Sequence, residues 1–238
     1  MPPRKTRKNL HVALLFLARH GQASFGTADY DRLSDLGRQQ SRWLGEYFAE
    51  RDLKFTRVVA GTLRRQRETA RELLSAMASS VPIDVHAGLD EYHGEALYAA
   101  YTNGRNPLDH QRSDYRDYWR TMKAAMQAWA AGRLAGVPET WAQFGERARA
   151  ALSMAAGGLR REDCALIVSS GGAISRTLVD ILGAPGAVGV EFNLQFRNAG
   201  FCELIVAGEG AQQEYRLVAF NAIPHLDTPA RRQAITFA

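Results

Sequence analysis

The chain has 238 residues, of which 46% are hydrophobic and 23% are charged. This balance is that of a globular protein and excludes a disordered chain, and no apolar run reaches the length of a transmembrane helix. The formal net charge is +5, from 30 Lys and Arg against 25 Asp and Glu, and the first eight residues alone contain Arg4, Lys5, Arg7 and Lys8.

The basic N-terminal stretch, residues 1–9, has two interpretations. Clustered Lys and Arg are typical of an arm that binds nucleic acid or an anionic membrane, and equally of a solvated, disordered tail. We expect the tail, and therefore neither a nucleic-acid nor a membrane partner. The apolar residues 10–18 are too few to span a bilayer. They end in Arg19 and His20 instead of a small-residue cleavage site, so a secretory signal is not expected.

The two cysteines, Cys164 and Cys202, indicate a reducing environment. Each lies within an apolar run, so we expect a buried, reduced thiol at each position and no disulfide between them. A cytoplasmic location follows from this expectation.

Strand and helix patterns alternate along the chain. Residues 12–18 form a short, continuous apolar run, as expected for a strand buried on both faces, and Ser34 can cap the helix that follows. Further strands are predicted near residues 57–60, 83–85, 164–168, 201–207 and 215–220, and further helices near residues 62–78, 144–159 and 171–182. This alternation predicts an α/β fold, a three-layer sandwich with a mostly parallel open sheet and helices on both faces. We expect one domain over residues 10–238.

The segment from about residue 92 to 141 has a different composition, in which Tyr and Trp are interleaved with Arg and Lys. Such a mixture occurs in RNA-binding surfaces, but no RNP-type motif or repeat accompanies it here. We therefore predict a helical insertion that caps a pocket. Its basic side chains either contact a second anionic group of the substrate or are exposed; they include Arg105, Arg112, Arg116 and Lys123.

Reactive or anion-binding residues follow four of the predicted strands. In an open, mostly parallel sheet, ligands bind at the carboxyl ends of the strands. The four groups are residues 19–21, 62–67, 89–93 and 169–172. They supply an imidazole, guanidinium groups, a carboxylate and two helix N-termini. Guanidiniums and helix N-termini bind phosphate, a neutral imidazole can attack phosphorus, and a nearby acid can protonate the departing oxygen.

Together these groups resemble the histidine phosphatase superfamily, which includes the phosphoglycerate mutases. The matching stretches are LFLARHGQAS, YDRLSDLGRQQ, TLRRQRETA, LDEYHGEAL and LIVSSGGAI, in the family's order, from about residue 12 to the end of the chain. An isolated Arg-His-Gly is a weak signal, and its place after a buried strand, with the other four stretches in order, makes the resemblance specific. The resemblance implies hydrolysis of a small phosphorylated substrate through a phosphohistidine. The sequence contains no metal-binding or nucleotide-binding motif, so we expect neither a metal nor another cofactor.

Three basic residues receive roles from this resemblance. It implies that His20 is the nucleophile that accepts the phosphoryl group, and that Arg19 and Arg65 bind the phosphate oxygens. Arg65 stands at the family's spacing from the Gln-Arg-Glu-Thr-Ala stretch that follows it. Arg64 and Arg67 are expected to be solvated charges on the helix.

The same resemblance implies that Glu91 donates a proton to the leaving group, with Asp90 and Glu95 as alternative donors. A further set of residues is expected to contact phosphate or substrate, namely Gly21, Gln22, Ser24, Ser170 and Gly171. For Gln22 and Ser24, an ordinary role in the loop is an equal alternative.

Ser170 marks a departure from the family pattern, which usually has a second histidine at this position. A serine hydroxyl can donate one hydrogen bond but carries no positive charge. Loss of one well-placed donor to a developing charge slows catalysis by about a hundredfold or more. Gly171 and Gly172 still allow phosphate to approach backbone N–H groups. His93 is the best-placed substitute for the missing imidazole, and His225 is expected to be structural.

Two functions remain open at this stage. The first is a metal-independent phosphatase, with mutase activity less expected because a mutase must retain a bisphosphate intermediate. The second is a degenerate family member that binds a phosphorylated ligand or partner with little turnover, as the serine at position 170 favours. A serine hydrolase is not expected, because Val168 stands where the nucleophile-elbow motif requires glycine.

Overall fold

The protein is described by a computed structural model over residues 12–24, 31–104, 115–208 and 212–237. The predicted basic tail, residues 1–9, lies outside these residues. The same is true of part of the predicted cap, residues 105–114, which contains Arg105 and Arg112.

Six strands in the described residues form one sheet. They are β1 (Ala13–Arg19), β2 (Arg57–Ala60), β3 (Ile83–Val85), β4 (Cys164–Ser169), β5 (Phe201–Ala207) and β6 (Glu214–Ala222). Their order across the sheet is β3-β2-β4-β1-β5-β6. β1 to β4 run parallel to one another, and β5 and β6 add an antiparallel edge. The prediction of a mostly parallel sheet is confirmed.

The register of the central strands brings the predicted reactive groups together. Arg19, the last residue of β1, lies beside Ser169, the last residue of β4. Ala60 at the end of β2 lies beside Val168 on the other side of β4. The residues that follow these three strand ends therefore emerge at one edge of the sheet.

Seven α-helices in the described residues accompany the sheet. They are α1 (Asp35–Ala49), α2 (Arg64–Ala76), α3 (Gly94–Tyr101), α4 (Tyr115–Ala130), α5 (Trp141–Ala156), α6 (Gly171–Leu182) and α7 (Gly186–Gln195). Short 3-10 turns are found at Ala87–Leu89 and Arg232–Ala234.

Helices cover both faces of the sheet because side chains along β1 alternate between two apolar cores. Leu15 and Leu17 point into a core that contains residues of α5 and α6. Phe16 and Ala18 point into a second core with residues of α1 and α2, where the rings of Phe16 and Phe48 lie 5.1 Å apart. All four of these β1 side chains are buried. The continuous apolar run in the sequence thus reflects a strand with two buried faces.

The cap segment, as we call residues 92–141, contributes α3 and α4 to a third apolar cluster. The cluster joins Leu97, Met126 and Trp129 to Phe144 of α5 and Ala173 in the first turn of α6. Its aromatic rings are tightly packed, with Trp129 5.0 Å from Trp141 in an edge-to-face arrangement. The cap segment therefore packs beside the N-terminus of α6.

The elements differ from the sequence prediction at two places. α2 begins at Arg64 instead of residue 62, and Thr62 precedes the helix, where its N–H and its hydroxyl both donate to the Asp90 carboxylate at 2.6 and 2.5 Å. Helix α7 was not predicted, since Gly186 and Gly189 weaken the helical signal of its sequence.

Two sequence expectations concern the chain's surroundings. Cys164 and Cys202 are buried and not in a disulfide, and burial raises the pKa of each thiol to about 12. Across the described ranges, no helix has both the length and the apolar character needed to cross a membrane.

Candidate active site

His20 directly follows β1 and is buried, with 5% of its surface exposed. Its Nδ1 lies 2.7 Å from the carbonyl oxygen of Gly21, and its Nε2 lies 3.1 Å from Nε of Arg65. A carbonyl can only accept and a guanidinium can only donate, so Nδ1 carries the proton and Nε2 presents a lone pair. Burial, with the positive charges of Arg65 and Arg19, holds the pKa of His20 well below its ordinary value. The imidazole is therefore neutral at pH 7.

Two arginines flank this imidazole. Arg19 and Arg65 are 6% and 8% exposed. Arg19 donates from Nη1 to the carbonyl oxygen of Phe196, and Arg65 forms an ion pair with Asp31 at 2.7 Å. Fixed guanidiniums beside a lone pair give the pocket the donors that a phosphate dianion requires.

Glu91 lies in the loop after the first 3-10 turn, and its carboxylate reaches the N-terminus of α6. Oε2 accepts from the Gly172 N–H at 3.0 Å, and Oε1 accepts from the Tyr92 N–H at 3.1 Å. Burial raises the pKa of the Glu91 carboxyl, against the opposing effects of these bonds and of Arg65 and Arg19. A raised pKa increases the protonated fraction near neutrality, as a proton donor needs.

The alternative proton donors are placed differently. The carboxylate of Asp90 accepts from the N–H and the hydroxyl of Thr62, which precedes α2. Glu95 is exposed in the first turn of α3. The geometry thus favours Glu91 among the three candidates.

Glycines at the pocket let backbone and carboxylate approach closely. A Cβ on Gly21 would lie 2.3 Å from the carbonyl oxygen of Gly37, so the loop after β1 packs directly on the backbone of α1. A Cβ on Gly172 would lie 2.1 Å from Oε1 of Glu91, and one on Gly171 would lie 2.7 Å from Oδ1 of Asn193. Glycine at position 172 is therefore a condition for the observed position of Glu91.

Gln22 and Ser24 are bonded within the loop that follows β1. The side-chain oxygen of Gln22 accepts from the Ser34 hydroxyl at 2.8 Å, and the same hydroxyl caps α1 by accepting from the Gly37 N–H. The N–H of Ser24 donates to the carbonyl oxygen of Arg32 at 2.9 Å. These contacts favour the structural alternative for Gln22.

Ser170 is fully buried at the N-cap of α6. Its hydroxyl oxygen accepts from Nε2 of Gln66 at 2.8 Å, and the same amide donates to the carbonyl oxygen of Leu89 at 3.0 Å. Gln66 is itself 0% exposed. The side chain of Gln66 therefore fills the space beside Ser170.

Four further basic residues lie near the elements that carry the pocket residues. His93 is exposed at the start of α3, and Nδ1 of His86 accepts from the Gly88 N–H in the 3-10 turn. Arg64 has a side chain that is 47% exposed and pairs with Glu68. Arg67 differs from the expectation of a solvated charge, because it is only partly exposed and its Nε is buried.

Sequence reasoning missed three contacts of the pocket. Asp31 pairs with Arg65, Gln66 bonds to Ser170, and Asn193 donates to the Tyr92 hydroxyl at 3.0 Å. Gln66 stood inside a quoted motif and could have been noticed as a polar residue on the buried side of α2. Asn193 lies in the unpredicted helix α7, and no local signal points to it.

Comparison with known families agrees with the motifs. A sequence model of the histidine phosphatase superfamily (branch 1) matches residues 15–219. This match covers most of the chain, and the chain belongs to the histidine phosphatase superfamily.

Similar solved structures support the same fold. A mycobacterial glucosyl-3-phosphoglycerate phosphatase is 22% identical, with a TM-score of 0.62 and coverage of 88% of this chain and 98% of that one. A phosphoserine phosphatase from Entamoeba histolytica, solved with 3-phosphoglyceric acid, is 18% identical, with a TM-score of 0.62 and coverage of 90% and 99%. At these identities the likeness establishes the fold.

One curated relative is similar over a shorter stretch. The mitochondrial serine/threonine-protein phosphatase Pgam5 of Caenorhabditis briggsae is 37% identical over 68 residues, which is 29% of this chain and 24% of that protein. The alignment thus spans about a quarter of the relative's length.

Proposed function

We propose that the protein hydrolyses phosphomonoesters through a phosphohistidine on His20, without a metal ion. The observation that carries this proposal is the orientation of the His20 ring, whose Nε2 lone pair faces Arg65 while Nδ1–H donates to Gly21. A neutral, fixed imidazole among guanidiniums is suited to attack an anionic phosphoryl group. Membership of the superfamily and the phosphatase names of its relatives support the same reaction class.

In the first half-reaction, Arg65 shifts its Nε–H bond from Nε2 of His20 to a phosphate oxygen, Arg19 binds a second phosphate oxygen, and the freed lone pair of Nε2 attacks phosphorus. The N–P bond forms as the bond from phosphorus to the ester oxygen breaks. The carboxyl of Glu91 transfers its proton to that oxygen, so the alcohol leaves neutral. The carbonyl of Gly21 stabilises the positive charge that the imidazole acquires, because it accepts from Nδ1–H throughout.

In the second half-reaction, the Glu91 carboxylate takes a proton from a water molecule, whose oxygen attacks phosphorus. The N–P bond breaks, its electron pair returns to Nε2 of His20, and inorganic phosphate leaves. The pKa directions of the two groups suit this cycle, because burial lowers the pKa of His20 and raises that of Glu91. These opposite directions favour a neutral imidazole together with a carboxyl that gives up its proton less readily than an exposed one.

The cap segment is the part of the proposed single domain, residues 10–238, that would select the substrate. The aromatic cluster of α3 and α4 packs against the first turn of α6 next to the pocket. Tyr92, the first residue of the cap segment, contacts both α4 and α7, since its hydroxyl donates to Sδ of Met126 and accepts from Asn193. We propose a small phosphorylated compound as the substrate.

The proposal is tested by phosphate release from a panel of phosphomonoesters, with EDTA present, by wild type and His20→Ala. We expect turnover in the wild type and a loss of several orders of magnitude in the variant, since removal of a covalent nucleophile has effects of that size. A phosphoenzyme that is labile in acid and stable in base should be trapped only with His20. Turnover that survives in His20→Ala would contradict the phosphohistidine.

A second function, retention of a phosphorylated ligand without turnover, is favoured by the side of the pocket at α6. Ser170 stands where the resemblance expects an imidazole, and its hydroxyl is engaged by Gln66. The guanidinium groups of Arg19 and Arg65 would still bind phosphate. A wild type that releases no phosphate from any ester, and that inorganic phosphate stabilises against heat, would support this function over hydrolysis.

A further inference from the structure

The guanidinium of Arg147, on α5, is bonded to the backbone of the loop that carries Glu91. Nη1 lies 3.3, 3.1 and 2.7 Å from the carbonyl oxygens of Ala87, Gly88 and Asp90, and Nη2 lies 3.5 Å from that of Glu91. These four carbonyls span the 3-10 turn and the residues after it. One side chain thus contacts most of the backbone that leads to the proposed acid.

The opposite edge of the same guanidinium is held by Glu139. Nε and Nη2 of Arg147 donate to the two carboxylate oxygens at 2.8 and 2.7 Å, a paired geometry that fixes the plane of the group. The guanidinium also lies over the ring of Phe144, 4.5 Å from its centre. The Arg147 and Glu139 side chains are 25% and 23% exposed, so their pairing is partly shielded from water.

The loop depends on such external contacts because little regular structure supports it. The 3-10 turn Ala87–Leu89 is three residues long, and residues 90–93 are neither helix nor strand. Helix α5 packs directly on the turn, since a Cβ on Gly88 would lie 2.1 Å from the carbonyl oxygen of Arg147. The position of the Glu91 carboxylate therefore follows the position of α5.

We infer that Arg147, held by Glu139, is a positioning residue that sets the proton-donating carboxyl of Glu91 against the leaving-group oxygen. This inference rests on the proposed function, in which Glu91 is the acid. The same pair also links the acid to the cap, because the indole N–H of Trp129 in α4 donates to the carbonyl oxygen of Glu139 at 2.8 Å.

The test compares kcat/KM for two substrates, an alkyl phosphate and p-nitrophenyl phosphate, because kcat/KM reports the step that forms the phosphohistidine. The alkyl oxygen needs a proton in order to leave, whereas p-nitrophenolate leaves without one. In Arg147→Met we expect the alkyl phosphate to lose about a hundredfold, as a misplaced catalytic group does. For the aryl phosphate, kcat/KM should fall by only about tenfold.

The matched control is Arg149→Met. Arg149 lies on the same helix, its side chain is 56% exposed, and it pairs with Asp180 away from the loop. We expect both substrates to be hydrolysed at wild-type rates. If Arg147→Met is too unstable to assay, Glu139→Gln removes the charge that orients Arg147 and should shift the substrate ratio in the same direction.

Glu91→Gln separates failure of this inference from failure of the proposed function. If Glu91→Gln discriminates between the two substrates and neither Arg147→Met nor Glu139→Gln does so, the positioning role is wrong and the acid stands. If Glu91→Gln itself affects both substrates equally, the proposed acid is wrong. A double variant, Glu91→Gln with Arg147→Met, should lose no more on the alkyl phosphate than Glu91→Gln alone.

Discussion

At the ends of β1 and β2, the pocket presents Arg19, His20 and Arg65, three buried basic groups, and Nε of Arg65 donates to Nε2 of His20. At the end of β4, a backbone N–H and a serine hydroxyl are bonded to side chains from the neighbouring loop and helix. The Gly172 N–H bonds to Glu91, and the Ser170 hydroxyl accepts from Gln66. Motif spacing decides which groups meet at the edge of the sheet, and the neighbouring side chains decide which of them a ligand can reach.

Among the variants that test this comparison, Gly172→Ala should have the largest effect on kcat/KM. It disturbs the α6 side of the pocket and leaves the ends of β1 and β2 unchanged. The new Cβ would lie 2.1 Å from Oε1 of Glu91 and 2.6 Å from the Tyr92 ring, so the carboxylate must move. We expect kcat/KM for an alkyl phosphate to fall by about a hundredfold, with little change in the melting temperature.

Gly94→Ala is the control for that substitution. A Cβ on Gly94 would meet Tyr92 and Met122 at 3.7 and 3.8 Å, which is ordinary van der Waals contact. Its kcat/KM should stay near the wild-type value. A Gly172→Ala variant that hydrolyses the alkyl phosphate as fast as the control would show that the position of Glu91 at α6 is not needed.

A smaller effect is expected when an imidazole is introduced on the α6 side. Ser170→His alone should destabilise the fold by about 1–3 kcal/mol without a gain in rate, because Gln66 fills the adjacent space. Combined with Gln66→Ala, the same substitution has room for the ring and should raise kcat by about tenfold, since it adds a donor to the developing charge.

Three variants are needed for this prediction: each single substitution and the pair, assayed for kcat and for binding of inorganic phosphate. Gln66→Ala alone should give no gain. A rate increase in Ser170→His as large as in the pair would show that Gln66 does not restrict position 170. No gain in the pair, with phosphate binding retained, would show that the rate is not limited by a missing imidazole.

The fold was largely predictable because its signals are local. The buried run before Arg19 and the Ser34 cap each depend on neighbours in sequence, and the structure contains both elements. Helix α7 was missed because its glycines obscure the helical pattern, and it becomes stable only where it packs on α6. Local propensity is overridden there by tertiary contacts.

The sequence predicted which residues meet at the pocket better than it predicted their hydrogen-bond partners. The motifs identified His20, Arg65 and Glu91, and the structure brings His20 and Arg65 into contact. The partners of these groups come from distant parts of the chain, as Arg147 does, 56 residues from Glu91. Such contacts depend on how helices pack on the sheet, which neither spacing nor residue type reveals.

His225 is a second buried histidine, outside the candidate active site, and can be compared with His20. It is 3% exposed between the rings of Tyr47 and Phe201, and both of its ring nitrogens lack a hydrogen-bond partner among the described residues. Burial, with a smaller contribution from the Arg231 charge, lowers the pKa of His225 to about 3. The unfolded chain binds this proton near pH 6.5, so stability is complete above pH 6.5 and is lost as the pH falls towards 3.

Replacing this ring should therefore make the protein less sensitive to acid. Between pH 7 and pH 5, protonation of the unfolded histidine lowers the free energy of unfolding of the wild type by about 2 kcal/mol, and His225→Phe should lack that loss. Urea denaturation of both proteins at the two pH values measures the difference, and His93→Asn, at an exposed position, is the control. Equal losses in wild type and His225→Phe would show that His225 is not neutral in the folded protein. In that case burial alone would not explain why His20 is neutral either. The positive charges of Arg65 and Arg19 would then be the main cause of the lowered pKa of His20.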